Sequence, residues 1–376
     1  MTKYKISEIG EVVGGGTPST KYKEYYSTNK DISWITPKDL SGYTKMYISN
    51  GERYITSKGL NNSSAKMLPK DTILISSRAP IGYVAIAQKE LATNQGFKSI
   101  IPDKTKILPE FLYFTMITKK SELENIATGS TFKEVSGKVM KNFEIDVPTI
   151  EKQKQIIDKL IPIVRKIELN NKINTNLLEL DLELISNINF ENYQSLNKIV
   201  EVKDGTHSSP ASTLNGYPLV TSKAIKGTSV DFSQTKNISE TDFTEINKRS
   251  LVEYHDILIS MIGTVGIVHL VTENPVKYAI KNVGLIKSSD KKLLSPFLYL
   301  YLLSDYGQTY IRKHLSGSTQ QFISLTNLRK MPIPISSDVP AKLIEKLNAI
   351  VLHIEHNSNE NSTLNSIKNV LLEKYF

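Results

Sequence analysis

The sequence predicts an α+β protein in which two similar, mixed and β-rich domains are joined and spaced by two long helices forming an antiparallel coiled coil. Three observations lead to this prediction. The second half of the 376-residue chain repeats the first, each copy ends in an apolar stripe with helical spacing, and polar residues interrupt both stripes at the same place. The chain therefore carries a pseudo-two-fold internal duplication, with predicted domains at 1–150 and 191–339 and predicted spacer helices at 151–190 and 340–376.

The duplication is visible as a series of matched segments in the two halves. The glycine-rich stretch GGGTPST at 14–20 has a counterpart in DGTHSSP at 204–210. Three further pairs keep an offset of about half the chain: TNQGFKSI at 93–100 with IKNVGLIK at 280–287, LPEFLYF at 108–114 with LSPFLYL at 294–300, and GSTFKEVS at 129–136 with GSTQQFIS at 317–324. Solenoid repeats recur every ~20–50 residues, so this longer period indicates a duplicated domain.

One matched pair predicts a β-hairpin in each domain. DTILISSRAPIGYVAIA at 71–87 resembles DILISMIGTVGIVHLV at 256–271. Both segments contain an apolar run, a polar turn with glycine, and a second apolar run. We therefore expect two neighbouring strands joined by a short turn in each copy.

The glycine-rich stretch at 14–20 is predicted to be a tight turn rather than a nucleotide-binding loop. A P-loop requires lysine directly after its last glycine, and here Thr17 follows Gly16. A dinucleotide fingerprint requires a helix to begin in the loop, and Pro18 interrupts that helix. This turn, and its counterpart at Gly205, are candidates for presenting backbone N–H groups to a phosphate.

Each half of the chain ends in one long predicted helix. Apolar residues recur there every three or four positions, which is the spacing of one helix face. Pro162 lies within the first helix and predicts a kink or an irregular turn. The stripe residues are Ile156, Leu160, Ile163, Val164, Ile167, Leu177, Leu180 and Leu184 in the first helix, and Leu347, Ile350, Val351, Ile354, Leu364, Ile367 and Leu371 in the second.

Asparagines interrupt both stripes and predict how the helices pair. Asn170 and Asn174 occupy stripe positions in the first helix, and Asn357 and Asn361 occupy them in the second. Paired asparagines set the register of a coiled coil at some cost in stability. In an antiparallel pair, Asn170 would face Asn361 and Asn174 would face Asn357.

The composition excludes several classes of site. The chain has no cysteine, which rules out disulfides, cysteine-based zinc sites and thiol nucleophiles. No apolar run approaches the ~18 residues of a membrane span, and MTKYKISEIGEVV at the N-terminus lacks the apolar core of a signal peptide. We therefore expect no membrane association and a cytoplasmic location.

The net charge of +9 is concentrated in the two predicted domains. Residues 1–150 carry 21 Lys and Arg against 15 Asp and Glu, and residues 191–339 carry 16 against 13, whereas both predicted helices are neutral. Two basic blocks suggest a polyanionic partner. B-DNA has local two-fold symmetry, so two similar but non-identical domains predict an asymmetric split DNA target with an unread spacer.

The combination of motifs resembles the specificity (S) subunits of Type I restriction–modification systems over essentially the whole chain. GGGTPST, WITPKDL, ISSRAPIG, TNQGF, GSTFKEVS with IDVPTIEKQKQI, and GSTQQFISLTNLRKMPIPI carry the resemblance. It implies two target-recognition domains, each reading one half of a bipartite double-stranded DNA site. It further implies two modification (M) subunits that methylate adenine with S-adenosylmethionine, and restriction (R) subunits that use ATP and Mg²⁺. The altered turn at 204–210, Pro162 and the missing counterpart of Trp34 are departures from it.

The chain itself shows no catalytic motif, so we expect a non-enzymatic recognition subunit that holds no cofactor or metal. No Pro-Pro dipeptide occurs, which excludes the tetrapeptide of amino-methyltransferases, and no Walker motif or zinc-binding His spacing is present. Ser76, Ser77 and Ser260 do not lie in a nucleophile elbow. His353 and His356 are predicted to lie on a helix surface.

The residues predicted to bind DNA divide into two groups. Phosphate contacts position a protein and base-edge contacts specify the sequence. For phosphates we select Lys21, Lys23, Lys38, Lys98, Lys223, Lys226, Lys281 and Arg329. For base edges we select Arg78, Gln95, Lys133, Lys138, His207, Thr264, Asn282, Gln320 and Gln321, with Tyr22, Tyr25 and Tyr26 lining the same face.

Two alternatives to this function remain open from the sequence. One is the specificity subunit of a related, non-Type I restriction system that cuts beside its site. The other is a bipartite RNA- or single-strand-binding protein, which would use exposed aromatic platforms. For the M subunits, the predicted docking positions are apolar residues off the helix stripes, namely Ile157, Leu178, Leu182, Leu352 and Val370.

Overall fold

The computed structural model describes residues 2–129, 133–188, 190–227, 229–334 and 339–376. The chain divides into two compact units. Unit 1 comprises Met1–Leu169 and Asn361–Phe376, and unit 2 comprises Asn170–Glu360. Each long helix therefore contributes residues to both units.

Unit 1 contains eleven strands and the first helices among its described residues. The strands are β1 (Thr2–Lys5), β2 (Gly10–Gly14), β3 (Tyr26–Ser27), β4 (Ile32–Ile35), β5 (Tyr47–Ile48), β6 (Arg53–Ile55), β7 (Ile73–Ser77), β8 (Ile81–Ala87), β9 (Ala92–Thr93), β10 (Lys98–Pro102) and β11 (Glu144–Val147). The helices are α1 (Ile6–Ile9), α2 (Ser57–Asn61), α3 (Pro109–Thr118), α4 (Lys120–Ile126), α5 (Gly137–Asn142) and the long α6 (Ile150–Ser186), which continues into unit 2.

The same kinds of element follow in unit 2. Its strands are β12 (Tyr193–Ser195), β13 (Glu201–Asp204), β14 (Tyr217–Val220), β15 (Lys236–Ile238), β16 (Ile257–Ser260), β17 (Val268–Leu270), β18 (Ala279–Ile280), β19 (Val283–Lys287) and β20 (Pro332–Pro334). Its helices are α7 (Leu196–Ile199), α8 (Glu240–Ser250), α9 (Ser295–Leu303), α10 (Asp305–Lys313), α11 (Leu325–Arg329) and the long α12 (Ala341–Tyr375), which ends in unit 1.

The sheets of the two units follow the same strand order, and unit 1 has one additional strand in each of its two larger sheets. Unit 1 has a sheet of order β2-β10-β7-β8-β5, and unit 2 has β13-β19-β16-β17. The second sheets, β3-β6-β4-β9 and β15-β14-β18, each contain one parallel pair, β4 with β9 and β14 with β18. The two-stranded sheets β1-β11 and β12-β20 complete the correspondence. The predicted α+β fold with an internal duplication is confirmed.

The predicted hairpins are also confirmed. β7 pairs antiparallel with β8, and β16 pairs antiparallel with β17. Their apolar runs are buried because both faces of these strands are covered by other elements, which is typical of continuous hydrophobic strands. Phe111 and Phe297 are almost fully buried, and each anchors the largest hydrophobic core of its unit.

The long helices pack against the cores with their apolar faces, in opposite directions. In unit 1, Ile156 and Leu160 of α6 share a core with Leu372 from the end of α12. In unit 2, Ile185 from the end of α6 shares a core with Leu347 from the start of α12. Within each unit the two helix segments therefore run antiparallel, as the sequence predicts. α6 continues through Pro162.

Two stripe positions predicted to be buried are exposed. Leu180 exposes 41% of its surface and Ile367 exposes 45%. In α6 the neighbouring Asp181 is buried instead, because the buried arc at this point is set by Leu178 and Ile185, which pack against the core of unit 2. Residue spacing alone defines the buried face of a helix to within about one residue. Here a shift of one residue exposes Leu180 and buries Asp181.

The asparagine layer lies in the buried part of the helices. Asn357 donates its side-chain N–H to the Asn174 side-chain oxygen at 2.8 Å, which is the pairing expected from an antiparallel register. Asn174 also donates to the Ile354 carbonyl at 3.3 Å, and Asn170 donates to the Glu360 carboxylate at 2.7 Å. These buried amides are satisfied by hydrogen bonds, as buried polar groups must be. The pairing of Asn170 with Asn361 stays a prediction.

Candidate nucleic-acid interface

A buried serine organises the hairpin loop in both units. Ser76 accepts a hydrogen bond from the Tyr83 N–H at 2.8 Å and donates to the Pro80 carbonyl at 2.8 Å. Ser260 makes the same two bonds, with the Ile267 N–H at 2.8 Å and the Thr264 carbonyl at 2.6 Å. These hydroxyls close the loops that carry Arg78 and Thr264, and this structural role agrees with the lack of a nucleophile motif around them.

A second loop packs against each hairpin. In unit 1, the Val135 N–H donates to the Ser77 carbonyl at 3.0 Å; in unit 2, the Ile323 N–H donates to the Met261 carbonyl at 3.0 Å. The chain before these contacts forms bridges between Thr128 and Glu134 and between Ser316 and Phe322. We call the described residues of 128–134, and the segment 316–322, the GST loops, after the three residues that the two sequences share. Each unit therefore presents a hairpin loop beside a GST loop.

The glycine-rich turn of unit 1 requires glycine for close packing. A Cβ atom on Gly15 would meet the Asn94 carbonyl oxygen, and one on Gly16 would meet the backbone of Ser64 and Ala65. The N–H groups of Gly15 and Gly16 donate to the carbonyls of Phe97 and Thr93, at 3.3 and 2.9 Å.

The prediction that these glycine N–H groups serve a phosphate is wrong for Gly15, Gly16 and Gly205. Gly15 and Gly16 use their N–H groups inside the protein, and the Gly205 N–H donates to the Val283 carbonyl at 2.9 Å. The glycines permit the backbone to approach a neighbouring strand, and they leave no free N–H group at these three positions.

An aromatic cluster holds the turn that follows these glycines in unit 1. The Trp34 indole N–H donates to the Gly16 carbonyl at 3.0 Å, and the Tyr26 hydroxyl donates to the Pro18 carbonyl at 2.7 Å. The Arg53 guanidinium lies over both rings, 4.7 Å from the Tyr26 centroid and 4.9 Å from the Trp34 centroid. These contacts restrain the turn in the absence of a ligand. Thr17 of the turn also donates a hydrogen bond to the Gln95 side-chain oxygen.

Charged groups hold the corresponding turn in unit 2. Asp204 is nearly buried and accepts hydrogen bonds from His207, at 2.9 Å, and from the Arg249 guanidinium. The other ring nitrogen of His207 lies 2.7 Å from the Asn282 side-chain oxygen. Asn282 itself has a φ of +53°, in the left-handed region that asparagine tolerates. Two predicted base-edge residues, His207 and Asn282, are therefore brought into contact.

Two lysines hold the far part of this turn. Lys281 donates to the Ser209 hydroxyl, and Lys236 donates to the Pro210 carbonyl at 2.5 Å. Lys281 therefore lies beside the turn at 204–210, and its ammonium group already donates to the Ser209 hydroxyl.

A groove in unit 2 collects four of the predicted DNA-binding residues. It has a volume of about 630 Å³ and is lined by Lys223, Lys226, Thr264 and Gln320. A smaller, mainly apolar cavity of about 180 Å³ is lined by His207, Asn282 and Phe322, among others. Ile262 of the hairpin loop lines both, so the two spaces adjoin. This combination of lysines, amides and a histidine suits a phosphate backbone and base edges.

Two predicted DNA-binding residues of unit 1 share a carboxylate that the sequence analysis missed. Glu134 lies 3.0 Å from the Lys98 ammonium and 3.6 Å from the Arg78 guanidinium. The side chain of Lys98 is only 16% exposed, whereas that of Arg78 is 36% exposed.

The remaining candidates are surface residues. Lys38 forms an exposed ion pair with Glu52 at 2.8 Å, and the hydrogen bond to this carboxylate raises the pKa of the Lys38 ammonium. Arg329 donates twice to the Val202 carbonyl, at 3.0 and 2.8 Å, and so joins α11 to β13. The other exposed candidates are Lys21, Tyr22, Lys23, Lys133, Lys138 and Gln321. Tyr22 stacks against Tyr25, with ring centroids 5.0 Å apart.

Sequence reasoning missed Glu134, Asp204 and Arg249. Glu134 follows the GST segment that both halves share, and this proximity is the one sequence feature that points to Glu134 as a site residue. Asp204 and Arg249 are 45 residues apart, and nothing in their spacing connects them. Within the described ranges, no cluster of three or more metal-ligating side chains is found, and no helix is long and apolar enough to cross a membrane.

Comparison with known proteins agrees with this duplicated arrangement. The family model "Type I restriction modification DNA specificity domain" matches residues 1–179 and again 192–369. The specificity subunit of the MjaIX Type I restriction enzyme from Methanocaldococcus jannaschii is 34% identical, over 98% of this chain and 91% of its own. The EcoR124I/EcoR124II specificity subunit from Escherichia coli is 32% identical over 41% of this chain and 39% of its own.

A solved structure has the same fold. The S subunit of a Type I restriction–modification system from M. genitalium aligns with a TM-score of 0.55 at 17% identity, covering 100% of this chain and 96% of the other. Two matches to one family model, one in each half, and a relative similar over nearly its full length establish the family. The chain belongs to the Type I restriction–modification DNA specificity family.

Proposed function

We propose that this chain is the non-catalytic specificity subunit of a Type I restriction–modification complex. Unit 1 reads one half of a bipartite, asymmetric double-stranded DNA site, and unit 2 reads the other half. The domain ranges 1–150 and 191–339 carry the two recognition surfaces. Family membership supports recognition of DNA sequence, and the relatives named above do not favour a single-strand binder or another restriction type.

One observation carries the proposal of two half-sites. The same framework of a serine-closed hairpin loop, a GST loop and a turn packed on the strand is built twice, yet its tips carry different side chains. Unit 1 places Arg78 and Gln95 there, and unit 2 places His207, Asn282 and Gln320. Because side chains at base edges determine sequence preference, two unlike surfaces support two unlike half-sites.

We further propose that the partners supply the chemistry. Two M subunits bind S-adenosylmethionine and methylate adenine at the site that this chain selects, and R subunits use ATP and Mg²⁺ for cleavage. On the long helices, Leu352 and Val370 are exposed and suit an M-subunit contact. Ile157 and Leu178 pack against the cores of unit 1 and unit 2, so they are weaker candidates.

The test is a methylation map. The chain is co-expressed with the methyltransferase subunit of the same system, and methylated adenines are located across the host genome. We expect one split, asymmetric motif. Exchange of residues 1–150 for those of another specificity subunit should change one half of that motif, and exchange of 191–339 should change the other half.

Two controls separate the alternatives. The methyltransferase subunit without this chain should give no motif, and the purified complex should prefer duplex over single-stranded competitor. A stable complex that methylates without a motif would contradict DNA reading by this chain. A complex that prefers single strands would favour the RNA- or single-strand-binding alternative.

The two serines offer a matched pair of variants. We expect Ser260→Ala to release the hairpin loop of unit 2 by leaving the Ile267 N–H without its partner, at a cost of about 1–3 kcal/mol in stability. Methylation should then become degenerate in the half-site read by unit 2 alone. Ser76→Ala should affect the other half-site alone, and the methylation maps of the two variants therefore serve as controls for each other. Identical maps would show that these loops do not contribute to sequence reading.

A further inference from the structure

Glu134 occupies a central position at the recognition surface of unit 1. Its backbone bridges Thr128 in both directions, through N–H···O bonds of 2.8 and 3.1 Å, at the base of the GST loop. One carboxylate oxygen faces Lys98 at the start of β10, and the other faces Arg78 in the hairpin loop. A single carboxylate thus connects three segments that are distant in sequence.

The two cations are held in different ways. The Lys98 ammonium is 3.0 Å from Glu134, within hydrogen-bond distance, and its side chain is largely buried. The Arg78 guanidinium is 3.6 Å away, which is longer than a hydrogen bond, so the carboxylate attracts it electrostatically. Arg78 is therefore directed by Glu134 while its N–H donors stay available to a base edge.

Stability does not account for this carboxylate. Ion pairs between partly exposed side chains contribute about 0–1 kcal/mol to folding. In unit 2 the corresponding position of the GST loop is Phe322, which makes the same backbone bridge, with Ser316, without any charge. The loop therefore forms with or without an acidic residue, and the negative charge is particular to unit 1.

We propose that Glu134 is a positioning residue that sets the DNA specificity of unit 1, an inference that rests on the proposed function. Its charge repels phosphate groups and orients Arg78. The guanidinium therefore contributes its full binding energy only at a base edge that offers two acceptors, as guanine does. On a duplex without that base, Arg78 has no such partner. The repulsion between the Glu134 carboxylate and the phosphates is then not offset, and binding is weaker.

The test uses the complex of the full chain with its methyltransferase subunit. Glu134→Gln removes the charge and keeps the size of the side chain. We expect tighter binding to a duplex that lacks the motif, with the slope of log Kobs against log salt steeper by about 0.9 for the released Arg78. Discrimination against substitutions in the half-site read by unit 1 should fall about tenfold, while the other half-site is unchanged.

Glu144→Gln is the matched control. Glu144 pairs with Lys3 at 3.7 Å on the β1-β11 sheet, so the same change of charge is made in the same unit away from the hairpin and GST loops. It should leave the methylation motif and its fidelity unchanged. In an Arg78→Gln background, Glu134→Gln should no longer alter fidelity, because the residue through which it acts is absent.

The outcomes separate the two proposals. A wild-type complex without any split motif would overturn the proposed function. A wild-type complex with a motif, together with a Glu134→Gln variant that matches Glu144→Gln in salt dependence and fidelity, would overturn only the role of Glu134. An unchanged effect in the Arg78→Gln background would also overturn it, because the charge would then act by another route.

Discussion

Replacement of Gln153 by alanine is expected to destabilise unit 1 by about 3 kcal/mol. Gln153 lies in the first turns of α6 and is fully buried. Its amide donates to the carbonyls of Lys106 and Pro148, both at 2.9 Å, and its oxygen accepts from the Leu108 N–H at 2.8 Å. Alanine removes the side-chain partner of three backbone groups in this part-buried site, and at the lower end of about 1–3 kcal/mol for each unsatisfied group the loss is about 3 kcal/mol.

The measurement is urea unfolding of the purified chain. Gln155→Ala is the matched control, because Gln155 lies two residues further along the same helix and is exposed. It should change the free energy of unfolding by no more than about 0.5 kcal/mol. If both variants lost the same stability, the three hydrogen bonds would not be the cause, because alanine is the better helix former at both positions.

Replacement of Asp181 by asparagine is expected to stabilise unit 2 in a pH-dependent way. Asp181 is buried on α6, and neither carboxylate oxygen has a hydrogen-bond partner among the described residues. Burial raises the pKa of this carboxyl from 3.8 to about 7, against a smaller lowering by the charge of Lys346. The folded chain therefore keeps a proton that the unfolded chain releases.

The sign of the effect follows from that difference in proton binding. Between pH 4 and pH 7 the folded state binds more protons than the unfolded state, so the stability of the wild type falls as the pH rises. Above pH 7 the loss is complete, at up to about 4 kcal/mol for a shift of this size. Asparagine does not titrate, so its advantage should be small near pH 4 and largest above pH 7.

Unfolding curves at pH 4.5, 6 and 8 would check this prediction. Glu179→Gln provides the control, because Glu179 is an exposed carboxylate on the same helix. Its effect on stability should be small and nearly constant over the same range. A gap between Asp181→Asn and the wild type that does not widen with pH would contradict the burial of a charged carboxylate at this position.

Local patterns predicted a large part of this molecule. The period of the apolar residues gave both long helices, because one face of a helix must be apolar to pack against a core. The repeat predicted two copies of one topology, and the parallel β4-β9 and β14-β18 pairs confirm it. The asparagine layer predicted an antiparallel contact, and the bond between Asn357 and Asn174 has that geometry.

The incorrect predictions are those that inferred a tertiary contact from a local sequence pattern. Leu180 was predicted to be buried from its spacing, yet Asp181 occupies the buried position because of how α6 lies on the core of unit 2. The glycines at 15 and 16 resemble an anion-binding turn in sequence, yet their N–H groups bond to Phe97 and Thr93. In both cases packing against another segment of the chain, and not the local pattern, decided the outcome.

By itself, the sequence determined the duplication, the order of the elements, the two helices and the family, because these depend on spacing and on motifs that lie within short segments. Only the tertiary structure decided which side chains meet at the recognition surfaces. Glu134 with Arg78, and Asp204 with Arg249, are pairs separated by tens of residues, brought together by sheet pairing and loop packing. Such long-range pairs leave no periodic signal, since they are set by how distant segments pack and not by local conformational preference.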